Sequence, residues 1–285
     1  MSEVRGELLV VATPIGNLGD LSPRALSALR DADAVYCEDT RHSRTLFSAN
    51  NITPKHRLMA LHQHNEASQC VEICERVARG EVVVLISDAG TPGISDPGER
   101  VVAAVAEAGL RVSTVPGPSA VIGALSISGL PTERFCMEGF VPRKAGERAA
   151  LYERLSREER TVVLYESPQR LASTLSEMAE RFPLRRVAVV RELTKLHEEV
   201  LRGTIAEVSA AVATRDILGE IVVVLAGATR TLDVGVEVVR AALLDQFAHG
   251  ASVRDAVTEV VAALGVVHRE TYDLALALRA ASKDG

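Results

Sequence analysis

Val84-Leu85-Ile86-Ser87-Asp88-Ala89-Gly90-Thr91-Pro92-Gly93-Ile94-Ser95-Asp96-Pro97-Gly98 runs from an apolar, strand-like segment straight into a turn of glycines, prolines and acids. In an open parallel sheet, ligands bind beyond the carboxyl ends of the strands, where loops converge and helix N-termini point into the crevice. Glycine lets the backbone approach a ligand closely, and proline stiffens the path so that little order is gained on binding. A competing reading makes the stretch an ordinary strand-to-helix turn, with Asp96 as N-cap and Pro97 at the first helical position.

Two further segments repeat the pattern. Leu8-Leu9-Val10-Val11-Ala12 ends in Thr13-Pro14-Ile15-Gly16-Asn17-Leu18-Gly19-Asp20, after which Ser22-Pro23 opens an amphipathic helix. Val112-Ser113-Thr114-Val115 ends in Pro116-Gly117-Pro118-Ser119, and an apolar helix follows to Ile127. Three such turns side by side make one pocket walled mainly by backbone. Val35-Tyr36-Cys37 and Arg57-Leu58-Met59-Ala60-Leu61 supply further short strands. Alternating strands and helices argue for a parallel sheet with right-handed crossovers.

Gly129-Leu130-Pro131 breaks this alternation, so an N-terminal α/β domain is expected over 1–129. A second α/β domain over 130–228 opens with Phe135 to Phe140 and contains strands at Thr161 to Glu166, Arg186 to Arg191 and Glu220 to Gly227, with helices after Ser167-Pro168 and around Thr204. A helical appendage over 229–285 contains segments at Leu232 to Phe247, Val253 to Leu264 and Arg269 to Leu278. Ser252 reads as an N-cap, and Gly265-Val266-Val267-His268 resembles a helix-turn-helix connection. Nucleic-acid binding and plain packing both suit this tail.

Of 285 residues 47% are hydrophobic and 25% charged, which suits a folded globular chain. The apolar run after Met1 to Arg5 is too short for a signal peptide or membrane span, so a cytoplasmic protein without membrane contact is expected. Cys37, Cys70, Cys74 and Cys136 form no CxxC pair. Cys70 and Cys74, one helical turn apart near His62 and His64, read better as positions on an amphipathic helix, and no metal is assigned. A net charge of −6 disfavours coating of nucleic acid by bulk electrostatics. With 3% aromatics and no tryptophan an extended stacking platform is also disfavoured, which confines any RNA contact to the pocket mouth.

No G-x-x-x-x-G-K-[ST] occurs, and Thr13 to Gly19 lacks the full G-x-G-x-x-G, so phosphate-cradling loops are disfavoured. A ligand without phosphates, such as S-adenosyl-L-methionine, suits the turns better. Ala12 to Leu18, Glu38-Asp39-Thr40-Arg41-His42-Ser43, Ser87 to Pro92 with Asp96-Pro97-Gly98, Pro116 to Ser119, Glu138-Gly139-Phe140, Tyr165-Glu166-Ser167 and Arg191-Glu192-Leu193-Thr194-Lys195 together resemble the tetrapyrrole methylase superfamily, in particular its branch acting on small-subunit ribosomal RNA. The resemblance implies two α/β domains with the cofactor in the cleft between them, a homodimer, and S-adenosyl-L-methionine-dependent 2′-O-methylation of a cytidine in 16S rRNA of the small ribosomal subunit.

It also implies a cofactor shell of Pro14, Asp88, Ala89, Gly90, Thr91, Pro116, Gly117, Pro118 and Ser119 from the first domain and Phe140, Tyr165, Leu193, Ala226 and Gly227 from the second. Methyl transfer to a hydroxyl needs alignment and help with a proton. Asp39 or His42 offers a base, and Lys195 offers another if a cleft desolvates it enough to lose its proton. Arg41, Arg143, Lys144 and Arg148 are candidate RNA contacts; solvated helix faces explain them otherwise. His62, His64 and Asn65 read as a possible rim of the pocket or as ordinary loop polars. A tetrapyrrole C-methyltransferase and a non-catalytic, ligand-gated RNA-binding module are the rival functions.

Overall fold

The computed structural model describes residues 6–53, 55, 57–62, 65–228 and 235–281. The expectations placed on Met1 to Arg5, His64 and the start of the Leu232 segment lie outside these residues.

The first half lays down β1 (Glu7–Val11), α1 (Pro23–Asp31), β2 (Ala34–Cys37), α2 (Thr40–Ala49), β3 (Met59–Ala60), α3 (Glu66–Ala78), β4 (Val82–Ile86), α4 (Glu99–Glu107), β5 (Arg111–Val115) and α5 (Ala120–Ile127). Its five strands pair in the order β3-β2-β4-β1-β5, and every pairing is parallel. Side chains alternate along each strand, and both faces are covered. Val11, Val35, Val84 and Ile86 pack with Leu29 and Phe47 on one side. Leu8, Tyr36, Val83 and Leu85 pack with Ile73, Val101 and Val105 on the other. Ser22 caps α1 by accepting from the Ala25 amide, with Pro23 at the first helical position, as the sequence predicts.

The second half contains β6 (Phe135–Phe140), α6 (Ala145–Arg157), β7 (Thr161–Glu166), α7 (Pro168–Arg181), β8 (Arg186–Arg191), β9 (Glu199–Thr204), α8 (Ile205–Ala213) and β10 (Ile221–Leu225). The sheet order is β6-β7-β10-β8-β9. Only β6 and β7 are parallel neighbours; β10 runs antiparallel to both β7 and β8, and β8 forms a hairpin with β9. The sequence reading missed β9, whose Glu-Val-Leu-Arg-Gly-Thr lacks a clean apolar alternation. One face of this sheet packs on α5 through Val121, Ala124 and Leu125. A helix from the first half thus supports the second sheet, and both sheets fall within one compact unit, residues up to 156 with 160–226.

The second unit comprises 157–159 and everything from Gly227 onward. It contains α9 (Val236–Ala248), α10 (Val253–Leu264) and α11 (His268–Ala281) around a core of Val239, Leu243, Val257 and Val260. Ser252 accepts from the Asp255 amide at the start of α10, and Gly265 ends that helix at φ +62°. Among the described residues no helix is long and apolar enough to cross a membrane.

Candidate functional site

Because the first sheet is wholly parallel, all its strands deliver their C-terminal turns to one edge. Hydrogen bonds lace these turns together. Thr13 and Gly90 exchange backbone bonds of 2.9 and 3.1 Å. The Thr13 hydroxyl donates to the Ser87 carbonyl at 3.2 Å, and the Thr91 hydroxyl to the Pro118 carbonyl at 3.2 Å. A fourth turn joins through the Asp39 amide, which donates to the Asp88 carboxylate at 3.0 Å. Gly90 is held at φ +84°, a region that glycine enters at little cost and branched residues resist.

Opposite these turns lie the ends of the second sheet, and between them is a cavity of about 350 Å³. From the first half it is lined by Ile15, Ala89, Gly90, Thr91, Ile94, Ser95, Asp96, Ser119 and Ala120. Phe140, Tyr165, Leu193 and the segment from Gly219 to Val222 line it from the second. A neighbouring chamber of about 290 Å³ shares Ile15, Ala89 and Glu220, and adds Pro14, Gly16, His42, Asp88 and Lys195.

The expected cofactor residues Ala89, Gly90, Thr91, Ser119, Phe140, Tyr165 and Leu193 meet in the main cavity, and Pro14 and Asp88 line its neighbour. Pro116, Gly117 and Pro118 stand behind the wall: Pro118 braces Thr91, and a Cβ on Gly117 would come within 3.1 Å of the Ala12 Cβ. Ala226 and Gly227 line neither chamber. Because β10 runs opposite to β7 and β8, its N-terminal end reaches the cavity and its C-terminal end leaves it. There Ala226 is pinned by Arg185 and Arg186, and Gly227 belongs to the second unit. Gly219, Glu220, Ile221 and Val222 take the expected place, and strand direction was the missing information.

Asp96 is also reassigned. The cap of α4 comes from Glu66, whose carboxylate accepts from the amides of Gly98 at 2.9 Å and Arg100 at 3.1 Å. With the helix starting at Glu99, Asp96 is left facing the cavity, where burial and the nearby Asp88 push its carboxyl up against a lowering hydrogen bond from Ser87. Glu38 is raised in the same way, by burial and by Asp96 and Asp88.

Lys195 requires a different correction. Its ammonium lies 2.8 Å from Glu192 and 3.1 Å from Glu220. Burial favours the neutral amine, but bonds to the two carboxylates outweigh it and the pKa rises, which disfavours Lys195 as a general base. Its stem crosses Gly16, where a Cβ would fall 2.5 Å from the Lys195 Cγ. Asp39 is the N-cap of α2, and the Arg41 amide it accepts at 2.7 Å holds its carboxyl below the usual range, which weakens it as a base. Arg41 is exposed beside it, and His42 faces the neighbouring chamber.

Among the basic candidates, Arg143 and Lys144 are exposed, with Lys144 3.0 Å from Glu147. Arg148 is engaged within the fold: it forks onto Glu177 at 2.7 and 2.8 Å and donates to the Arg143 carbonyl. His62 donates through its amide to the Asn65 side chain, and Asn65 N-caps α3. Glu166, nearly inaccessible, accepts from Arg170, Thr174 and the Ser167 amide.

The main cavity contains Asp96, Glu166 and Glu220 and, among its lining residues, no lysine or arginine. Glu166 is paired with Arg170 and Glu220 with Lys195, so Asp96 is the lining carboxylate whose charge counts, and with the apolar walls it favours a cationic, partly apolar ligand.

Residues 7–209 match the family profile of tetrapyrrole (corrin/porphyrin) methylases. The chain is 46% identical over 277 residues to a ribosomal RNA small subunit methyltransferase I of Mycobacterium tuberculosis (strain CDC 1551 / Oshkosh), covering 96% of each. It is 49% identical over 226 residues to the protein of that name from Xylella fastidiosa (strain Temecula1 / ATCC 700964), covering 78% of this chain and 82% of that one. Among solved structures it is similar to a diphthine synthase, with TM-score 0.59 and 16% identity over 78% of this chain and 90% of that one. It is also similar to a cobalt precorrin-4 methyltransferase, with TM-score 0.54 and 18% identity over 78% and 95%. Those two share the fold at low identity, whereas the ribosomal relatives match over most of the chain. The chain belongs to the tetrapyrrole methylase family and, within it, to the ribosomal RNA small subunit methyltransferases I.

Proposed function

We propose that the protein transfers a methyl group from S-adenosyl-L-methionine to the ribose 2′-hydroxyl of a cytidine in 16S rRNA of the small ribosomal subunit, as a cytoplasmic homodimer. The observation that carries this reading is the cavity itself, walled by the laced turns of the first sheet, with the Asp96 carboxylate facing it and no lysine or arginine among its lining residues. The donor bears a sulfonium and no phosphate, so this lining fits it. When bound it supplies an electrophilic methyl group.

Gly90, Thr91, Ser119 and Ala120 would hold the donor through backbone and short side chains, against Leu193 and Val222 of the second sheet. Rigid turns hold reactants in line, which can supply about 7–11 kcal/mol of a barrier in favourable cases. The acceptor ribose would lie where the two chambers meet, near Ala89 and Glu220. From the second chamber His42 takes the hydroxyl proton, and Lys195, kept charged by its carboxylates, stabilises the developing alkoxide. Arg41, Arg143 and Lys144 contact phosphates from outside.

Incubation with methyl-labelled donor and either small subunits lacking the modification or a precorrin tests the reading. One labelled 2′-O-methylcytidine in 16S rRNA is expected. Label confined to the tetrapyrrole would overturn the assignment, and donor binding without label in either would favour a binding module.

A further inference from the structure

Phe140 ends β6, and a slip in the ladder decides where its ring goes. Met137 pairs with Val163, but Gly139 pairs with Leu164 and Phe140 with Tyr165, leaving Glu138 as an extra residue. Side chains alternate along a strand, so one inserted residue sends everything after it to the opposite face. Met137, Val163 and Tyr165 share the face packed on α5. In an unbroken strand Phe140, three residues after Met137, would point the other way. The bulge turns it onto the face of Tyr165 and hence into the cavity wall. Gly139 makes the slip at φ +71°, with no atom within 4 Å of where a Cβ would stand, so conformation alone asks for glycine there.

The ring is placed at the mouth. Phe140 is 63% exposed, in a chain with 3% aromatics, and its centroid lies 5.2 Å from that of Tyr165 at 51°. The backbone behind it is fixed: the Val141 amide donates to the Tyr165 carbonyl at 3.1 Å, and the Val141 carbonyl accepts from Arg170 at 2.6 Å. Arg148, tied to Glu177, fastens the next turn through the Arg143 carbonyl, and the exposed Arg143 and Lys144 follow directly. An exposed aromatic on a rigid strand end, three residues before the first of a pair of exposed cations, has the chemistry of a stacking site for a single nucleotide.

Resting on the function proposed above, we propose that Phe140 is the platform on which the base of the target nucleotide stacks after leaving its RNA helix, with the flanking phosphates turned outward toward Arg143 and Lys144. The resemblance drawn from the sequence gave this side chain to the cofactor. Charge and position favour the RNA. A neutral, flat base enters an acidic, partly apolar mouth that its phosphodiester cannot, and the cations that suit the phosphodiester lie just outside. The narrow extent of the site also answers the scarcity of aromatics, since one extruded base needs one ring rather than a continuous platform.

The test measures methyl transfer to unmodified small ribosomal subunits, alongside donor affinity by calorimetry, for wild type and for Phe140→Ala, Phe140→Leu and Phe140→Trp. Loss of one base-stacking contact raises the KM for subunits on the order of ten-fold in the alanine and leucine variants, while tryptophan restores it. Donor affinity stays within about two-fold, because the ring stands 63% exposed at the mouth of the cavity, away from the turns that would hold the donor. The proposal is overturned if Phe140→Ala weakens donor binding and leaves the KM for subunits unchanged, or if it changes neither. Wild-type protein that binds donor but labels no subunit overturns the underlying function and the proposal together, an outcome distinct from an active wild type with an indifferent Phe140. Because the ring is largely exposed and Phe140→Leu keeps its apolar bulk, misfolding does not obscure the result.

Discussion

The two sheets meet at one cavity but reach it differently. In the first, all five strands run the same way, so every C-terminal turn arrives at the same edge and hydrogen bonds tie the turns into one wall. In the second, β10 is reversed between β7 and β8, so the cavity is lined by the ends of some strands and the beginning of another. A parallel sheet announces its ligand edge in the sequence, because the edge follows each apolar run. A mixed sheet conceals it until the strand directions are known. The first wall therefore works through rigid backbone, and the second through individual side chains, Phe140, Tyr165, Lys195 and Glu220.

The largest effect that would break this division is expected at Gly90. Gly90→Val places a branched residue at φ +84°, where an ordinary side chain costs about 1–2 kcal/mol and a branched one more. The new Cβ itself would stand at ordinary contact distance, 3.4 Å, from the Ile15 Cγ2, so the backbone conformation carries the cost. Donor binding measured by calorimetry should fall below detection. Thr91→Ala, which removes only the hydroxyl bond to Pro118, should cost about 1 kcal/mol of stability and leave binding measurable. Equal losses in the two variants would mean that side chains rather than backbone make this wall.

Lys195→Met is the matching change on the other wall. The methionine keeps an unbranched stem over Gly16 but has no charge, so thermal stability should change by no more than about 1 kcal/mol, the usual scale for a partly exposed pair. Turnover should fall on the order of 10²-fold while donor affinity is kept, the signature of a group that acts on charge developed in the transition state. Unchanged turnover would leave Lys195 a structural strap between its two carboxylates.

These differences also explain what was legible beforehand. The turns after β1, β4 and β5 were readable because glycine and proline mark them locally, as were the Ser22 cap with Pro23 and the Ser252 cap. The features that escaped are long-range. Nothing near Gly98 indicates that Glu66, on α3, caps α4, and so the competing reading with Asp96 as the cap could not be set aside from the sequence. Nothing within Ile221–Leu225 indicates its direction, since Ile-Val-Val-Val-Leu is equally apolar both ways. Lys195 is held by Glu192, three residues before it, and by Glu220, a residue brought to it only by the fold. The expectation accordingly fell on Ala226 and Gly227, whereas the residues of β10 that line the cavity are at its other end, with Ile221 and Val222.

Asp96 offers a smaller effect that sharpens the comparison, because its carboxyl strains the first wall rather than supporting it. Burial and Asp88 raise its pKa, so between the ordinary value of 3.8 and the raised one the folded state binds more protons than the unfolded chain. Stability must then fall as pH rises through that window, and the cost is fully present above it. Asp96→Asn should raise Tm at pH 7 by about 2 °C and give no advantage below 3.8, where the native acid is protonated in both states. A gain that persisted in acid would point to packing rather than charge. If donor affinity fell in the same variant, the strain would have a purpose: an unneutralised carboxylate kept facing a cationic ligand.

The smallest expected effect is the most direct check on strand direction. Ala226 lies at the far end of β10, its carbonyl and amide engaged by Arg185 and Arg186, and it is absent from both chambers. Ala226→Ser adds a hydroxyl with little change in volume, and both donor affinity and turnover should remain within two-fold of wild type, about 0.4 kcal/mol at most. At the opposite end of the same strand, Ile221→Ala removes three carbons from a 3% exposed side chain that lines the cavity, and should cost about 2–5 kcal/mol of stability. Donor affinity should fall in that variant, since a wall of the cavity recedes. A strand whose two ends respond so unequally is oriented as the structure has it. Sensitivity at Ala226 with indifference at Ile221 would mean that β10 presents its other end to the ligand, and the antiparallel placement of that strand would be wrong.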